Sequence, residues 1–215
     1  MMNRRSFLLA SAALLCTPQI ALAEAAGADL ARRLFVMIDG LDVADRWLAG
    51  SHVDWETGLP DGGPVSSTGV HSHCSAFVAA AAKGAGIYIL RPPEHGQVLL
   101  ANAQYDWLAG PGAAQGWSPL ADMYAAQDAA NDGQFTVACY RNRNDRKPGH
   151  IAIVRPSQKP RDQIASEGPD ITQAGLRNYV TTTVSIGFAD HRGAFSGNEI
   201  LYYAHAVDPS ALPAA

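Results

Sequence analysis

Cys74 stands at the front of the stretch HSHCSAFVAAA, His71 to Ala81, with two histidines just before it and a run of small residues behind it. Those residue types fit a nucleophile, a metal ligand, half of a disulfide or a buried thiol. A nucleophilic cysteine needs a stabilised thiolate and a base within hydrogen-bond reach. The run after Cys74 predicts a helix over 74–83 stopped by Gly84. The thiol would then sit at a helix N-terminus, where free N–H groups and the helix dipole favour an anion and can hold an oxyanion.

The base must come from elsewhere in the chain. His150 is the leading candidate. It follows Pro148-Gly149 and opens the run HIAIV, which reads as a strand. A strand would hold its ring at a sheet rim, on the face of Ala152 and Val154, with Ile151 and Ile153 on the other face.

A His-x-His pair such as His71 and His73 can ligate zinc, but adjacent His73 and Cys74 would both have to point at one ion, and no further ligands are evident. No metal and no cofactor is therefore expected. His71 and His73 read instead as cleft-wall residues, with His73 lending positive character to the thiolate when protonated. His205 is a rival base in a strand pattern, whereas His52, His95 and His191 fall in loop-like contexts and read as surface residues. Trp55, Tyr105, Trp107 and Trp117 are candidate cleft aromatics. Trp55 has the best claim to a substrate contact, because it lies in the loop before the nucleophile.

These residues must be positioned by the surrounding elements. Helical spacing of apolar residues predicts a helix over 29–48. A Gly/Pro/Ser/Asp-rich surface loop follows over 51–70, then helices over 97–108 and from Ser118 to Asn131. The character then changes to β-branched and aromatic runs at 134–140, 150–154, 179–188 and 199–207, with a short strand beginning at 170. Helices first and an antiparallel sheet second predict an α+β domain.

The N-terminus is read as a leader. Arg4 and Arg5 precede an apolar run and a small-x-small end at Ala21-Leu22-Ala23, the pattern of a signal peptide over 1–23. Arg-Arg-Ser-Phe-Leu also fits twin-arginine export, with ordinary Sec export as the alternative. Removing 23 of 215 residues leaves 192, one domain over 24–215. The net charge of −4 becomes −6, because the leader carries two arginines and no acids. A mildly acidic chain without a basic block argues against nucleic acid or anionic lipid as partner. No later segment is apolar and long enough for a membrane span. Cys16 leaves with the leader, so Cys74 and Cys139 remain, and in an exported protein they could form one disulfide.

Two motifs carry a family resemblance. HCSAFVAAA resembles the Cys-Ser-Gly-Phe-Val segment of NlpC-type peptidases, and PGHIAIV resembles their Gly-His-Val-x-Ile-Tyr strand. The order, nucleophile helix before His strand, also matches the CHAP amidases; both groups are papain-like cysteine hydrolases. The match covers about 15 residues of 192. His73 replaces the usual Asp, Ala76 the usual Gly, and 76 positions separate Cys74 from His150. The resemblance implies a papain-like (NlpC-type) fold and a periplasmic or secreted hydrolase of peptide or amide bonds, acting on peptidoglycan peptides. It also implies a third polar residue that orients His150 from the next strand. Gln173 is the choice, with Asp170, Glu167 and Asn178 as alternatives. Two other readings stay open: a non-catalytic periplasmic binding domain of the same fold carrying a Cys74–Cys139 disulfide, and an amidase acting outside the cell wall.

Overall fold

The computed structural model describes residues 18–65 and 71–214. The paired arginines and Cys16 of the expected leader lie outside the described residues. The protein is α+β: N-terminal helices pack on a six-stranded antiparallel sheet of order β1-β6-β2-β3-β4-β5. Its strands are β1 (Trp117–Leu120), β2 (Phe135–Tyr140), β3 (His150–Val154), β4 (Asp170–Gln173), β5 (Tyr179–Thr183) and β6 (Leu201–His205). The helices are α1 (Pro18–Asp39), α2 (Cys74–Gly84), α3 (Leu100–Leu108), α4 (Met123–Asn131), α5 (Arg161–Glu167) and α6 (Val184–Gly187).

Alternation along β2 and β3 separates two cores. Val137, Cys139, Ile151 and Ile153 face α1, α2 and α3, together with Leu34, Ile38 and Phe77. Ala138, Tyr140, Ala152 and Val154 face α4 and α6, together with Ala126, Ala130 and Phe188. The alanines of α2 explain its central place. Residues 74 to 82 are all buried, and small side chains let the helix lie close to β3.

Arg155 ties α1 to the sheet. It grips Asp39 with both Nη atoms at 2.6 and 2.9 Å, donates to Thr172 Oγ1 at 2.7 Å, and lies over the Phe35 ring. A two-pronged guanidinium–carboxylate pair with further acceptors fixes geometry better than an exposed single contact does.

Several elements differ from the sequence expectation. α1 starts earlier than 29 and stops at Asp39, because Asp42 and Trp47 take positive φ (61° and 52°) and fold 41–47 into turns. α3 begins at Leu100 because Leu99 takes the left-handed conformation. The expected helix from Ser118 is instead edge strand β1, paired to β6 from Trp117↔His205 to Leu120↔Tyr202. Pro119 is tolerated there because an edge strand needs fewer donors. The helix starts at Met123, where the Asp122 carboxylate accepts from the N–H groups of Tyr124 and Ala125. The expected strand over 179–188 ends at Thr183, whose hydroxyl caps α6.

Candidate active site

Cys74 is the first residue of α2 and is 3% exposed. The helix has no side-chain cap: His73 occupies the N-cap position, its carbonyl accepting from the Phe77 N–H but its side chain making no bond to the first turn. The first-turn N–H groups therefore keep donor capacity that a capping Ser or Asp would consume. The backbone N–H groups of Ile151, Ser75 and Cys74 lie near enough to the sulfur to favour its anion. The Ile151 contact places the thiol against the start of β3, one residue from His150. The opening exists because β4 pairs with β3 only at Ile153↔Thr172 and Val154↔Ile171, leaving the His150 end unpaired on that side.

His150 projects to the other face of the sheet, as alternation requires, and is 4% exposed. Its Nε2 lies 2.8 Å from Gln173 Oε1. The Gln173 Nε2 donates to the Arg177 carbonyl at 3.2 Å, which fixes the amide orientation. Gln173 Oε1 is thus the acceptor, His150 Nε2 carries the proton in the neutral ring, and Nδ1 holds the free lone pair. Gln173, at the end of β4, is the sheet residue that reaches the ring. The alternatives are engaged elsewhere. Asp170 bonds Lys159 and Ser157, and Glu167 lies 3.5 Å from Lys159. Asn178 clasps the carbonyls of Val43 and Arg46 at 2.7 Å each.

Two adjoining clefts meet at this point, sharing Ser72 and Pro148. The Cys74 side holds about 370 Å³ and is lined by Ser75, Gln97, Val98 and Arg146. The His150 side holds about 230 Å³ and is lined by Lys147, Gln173, Leu176, Asp190 and His191. A third pocket of about 250 Å³ continues past His71 and Val98 to Val65. Val65, Val98 and Leu176 are exposed by 51%, 81% and 51%, so the rim of the groove offers apolar contact to a ligand. A larger cavity of about 540 Å³ beside Asp122, Phe195 and Tyr202 contains no cysteine or histidine.

Burial decides the resting charges. It pushes the Cys74 thiol up, outweighing the opposing N–H groups of Ile151, Ser75 and Cys74 itself. It pushes His150 down, against the Gln173 bond and the Asp190 charge. The resting pair is therefore a neutral thiol and a neutral imidazole, not the thiolate expected from the helix position alone. His73 lines the third pocket beside His71, but it is not the cation expected there. Burial lowers it, and its Nε2 donates to the Ser51 carbonyl at 2.8 Å, so it supplies no positive charge to the thiol.

Trp55 is not brought to the cleft. It lies beside Lys83, nine residues along α2 from Cys74, or about 14 Å at 1.5 Å per residue. Trp117 is 2% exposed and packs in the main core, with Tyr105 and Trp107 packed against it. Both nitrogens of His205 face backbone carbonyls, of Ala206 and Gln115. Cys74 and Cys139 are both free, so the disulfide of the binding-domain reading is not formed. Among the described residues no group of three His, Cys, Asp or Glu is placed to hold a metal.

The residue that sequence reasoning missed is His191, expected at the surface. Its ring stacks on His150 with centroids 5.5 Å apart and planes 25° apart. Phe188 meets His150 edge-on at 4.7 Å. No local pattern marks His191; it arrives through the loop between α6 and β6.

Two predictions follow from this geometry. A Cβ on Gly187 would lie 2.4 Å from Gln173 Oε1 and 2.5 Å from Ile171 Cδ1. Gly187→Ala is therefore expected to push the Gln173 amide off His150. Under the hydrolase function proposed below, turnover should fall about 10- to 100-fold, with little change in melting temperature because only side-chain ends must move. Kinetics and a thermal melt on the same preparation check both halves.

The second concerns acid stability. His191 is held at about 4, by burial first and by His150 second. Its folded pKa lies below the ordinary value near 6.5, so acid favours the unfolded chain, which binds the proton more readily. The stability contribution is complete above about pH 6.5 and is lost as pH falls toward about 4. Urea midpoints at pH 7 and pH 4.5 should differ more in the wild type than in His191→Phe. Equal differences would show that His191 does not titrate this way.

The chain matches no protein-family model and no curated protein.

Proposed function

We propose that this groove is the active site of an exported cysteine hydrolase of papain-like (NlpC-type) fold, cleaving peptide or amide bonds in peptidoglycan stem peptides. The observation that carries the reading is the 2.8 Å bond between His150 and Gln173, in a cleft that shares Ser72 and Pro148 with the one holding Cys74 at a helix N-terminus without a side-chain cap. That bond leaves Nδ1 as the basic nitrogen of a ring that is otherwise fixed. The order of the two motifs and the leader-like N-terminus add the export and the substrate class. Arg146 and Lys147 stand on the groove rim without an ion-pair partner among the described residues, which suits a peptide with free carboxylates.

In this mechanism the substrate carbonyl enters over Cys74. The sulfur attacks the carbonyl carbon while its proton passes to His150 Nδ1. The tetrahedral oxyanion is held by first-turn N–H groups of α2. The C–N bond breaks, and the proton on Nδ1 leaves with the amine. Water then attacks the thioester, giving its proton to Nδ1, and the second tetrahedral intermediate collapses to a carboxylic acid and the free thiol. The Gln173 carbonyl oxygen accepts from Nε2–H throughout and stabilises the transient imidazolium. Because both resting groups are neutral, charge forms only when substrate is in place.

The test is incubation of purified sacculi with the protein and mass spectrometry of the released peptides. New amine and carboxyl ends within the stem peptide are expected. If sacculi stay intact while a non-cell-wall amide is hydrolysed, the triad stands and the peptidoglycan assignment fails.

A further inference from the structure

We propose that His191 is a positioning residue for His150, its ring lying against the imidazole and fixing the plane in which Nε2 meets Gln173 and Nδ1 is left for the thiol. The inference rests on the catalytic reading of Cys74 and His150 given above. One hydrogen bond at Nε2 fixes one point of the ring, and a ring held at one point can still pivot about its χ angles. Two aromatic contacts remove that freedom: the near-parallel His191 ring at 5.5 Å and the Phe188 edge at 4.7 Å. His191 is itself braced. Its ring touches Tyr140 at 5.1 Å, its N–H bonds the Phe188 carbonyl and its carbonyl accepts from Ala194, both at 2.9 Å. Tyr140 is also the β2 partner of His150 in the sheet register. The brace and the base are thus built on one frame, and the loop carrying His191 closes the His150 side of the groove.

The residue type matters as well as the shape. A neutral ring stacked on a base that becomes cationic during turnover is attractive to that cation, whereas a charged neighbour would oppose it. Burial keeps His191 uncharged at neutral pH. A phenylalanine can therefore replace it, while leucine of similar bulk lacks the planar face.

The test is the rate of Cys74 alkylation by iodoacetamide at pH 7, which needs no knowledge of the substrate. It is read by intact mass in wild type, His191→Phe, His191→Leu, His191→Ala and His150→Ala, with a thermal melt of each. His191→Phe should react within about twofold of wild type. His191→Leu and His191→Ala should be slower by about 5- to 10-fold, as expected when a base is misplaced by a fraction of an ångström, with melts close to wild type. If His150→Ala is slow but His191→Ala and His191→Leu match wild type, positioning by His191 is wrong and the catalytic pair stands. If His191→Phe is as slow as His191→Ala, ring stacking is not the cause and the inference also fails. If His150→Ala itself reacts like wild type, the catalytic reading beneath it is what fails.

Discussion

Cys74→Ala is expected to lower peptide release from sacculi by about 10⁴-fold or more, because members of a nucleophile–base unit act together and losing either removes covalent catalysis. The folding cost should be small. The substitution deletes one sulfur from the start of α2, and a small buried deletion of this kind costs about 1 kcal/mol. A variant that folds, melts near wild type and is inactive is therefore the expected result. The comparison is a time course of released peptides with both proteins at equal concentration and matched circular dichroism. Equal release by the two would remove Cys74 from the chemistry altogether.

Gly149→Ala is expected to damage fold and activity together. A Cβ at Gly149 would lie 2.1 Å from the Tyr140 carbonyl oxygen and 2.6 Å from Asn102 Oδ1. The first of these is backbone, fixed by the β2–β3 ladder in which Tyr140 faces His150, so it has no room to yield. Asn102 is also committed. Its amide donates to the Lys147 carbonyl at 2.9 Å and its oxygen accepts from the Asn142 N–H at 3.2 Å, stapling both ends of the β2–β3 loop to α3. Overpacking at a rigid site costs about 2–3 kcal/mol, or about 5–10 °C in melting temperature for a domain of this size. His150 is the next residue, so any relief by shifting the backbone moves the base as well. A melt within about 2 °C of wild type, less than half the expected shift, would show that the loop yields more easily than this geometry implies.

The elements nearest the chemistry were legible in the sequence for physical reasons. HIAIV is short, β-branched and bounded by Pro-Gly, and β3 runs from His150 to Val154 as expected. The alanine run fixed α2 to within a residue. Gln173 could be chosen because the family resemblance implies a polar residue on the strand after the His strand, and β4 ends at Gln173. Other features depended on partners far along the chain. Ser118-Pro119 has a helix-start signature, yet pairing with β6 overrides it, and the working cap is Asp122 four positions on. Thr183 looks like strand until its hydroxyl is seen to cap α6. The resting charges of Cys74 and His150 follow from burial, which a helix N-terminus alone does not reveal. Trp55 was placed by its nearness in sequence to Cys74, whereas α2 carries that loop to the other end of the helix. His191 had no local signal at all, since its role comes from the α6–β6 loop folding back over the sheet.

Activation of Cys74 by His150 is tested by the alkylation rate of Cys74 at pH 7 in wild type and His150→Ala. A buried thiol pushed above its ordinary value carries little thiolate at that pH and reacts slowly unless a base takes its proton. The expected result is a loss of about tenfold or more in His150→Ala, with Cys139, buried in β2, unlabelled in both proteins. Equal rates of Cys74 labelling in the two would contradict the account.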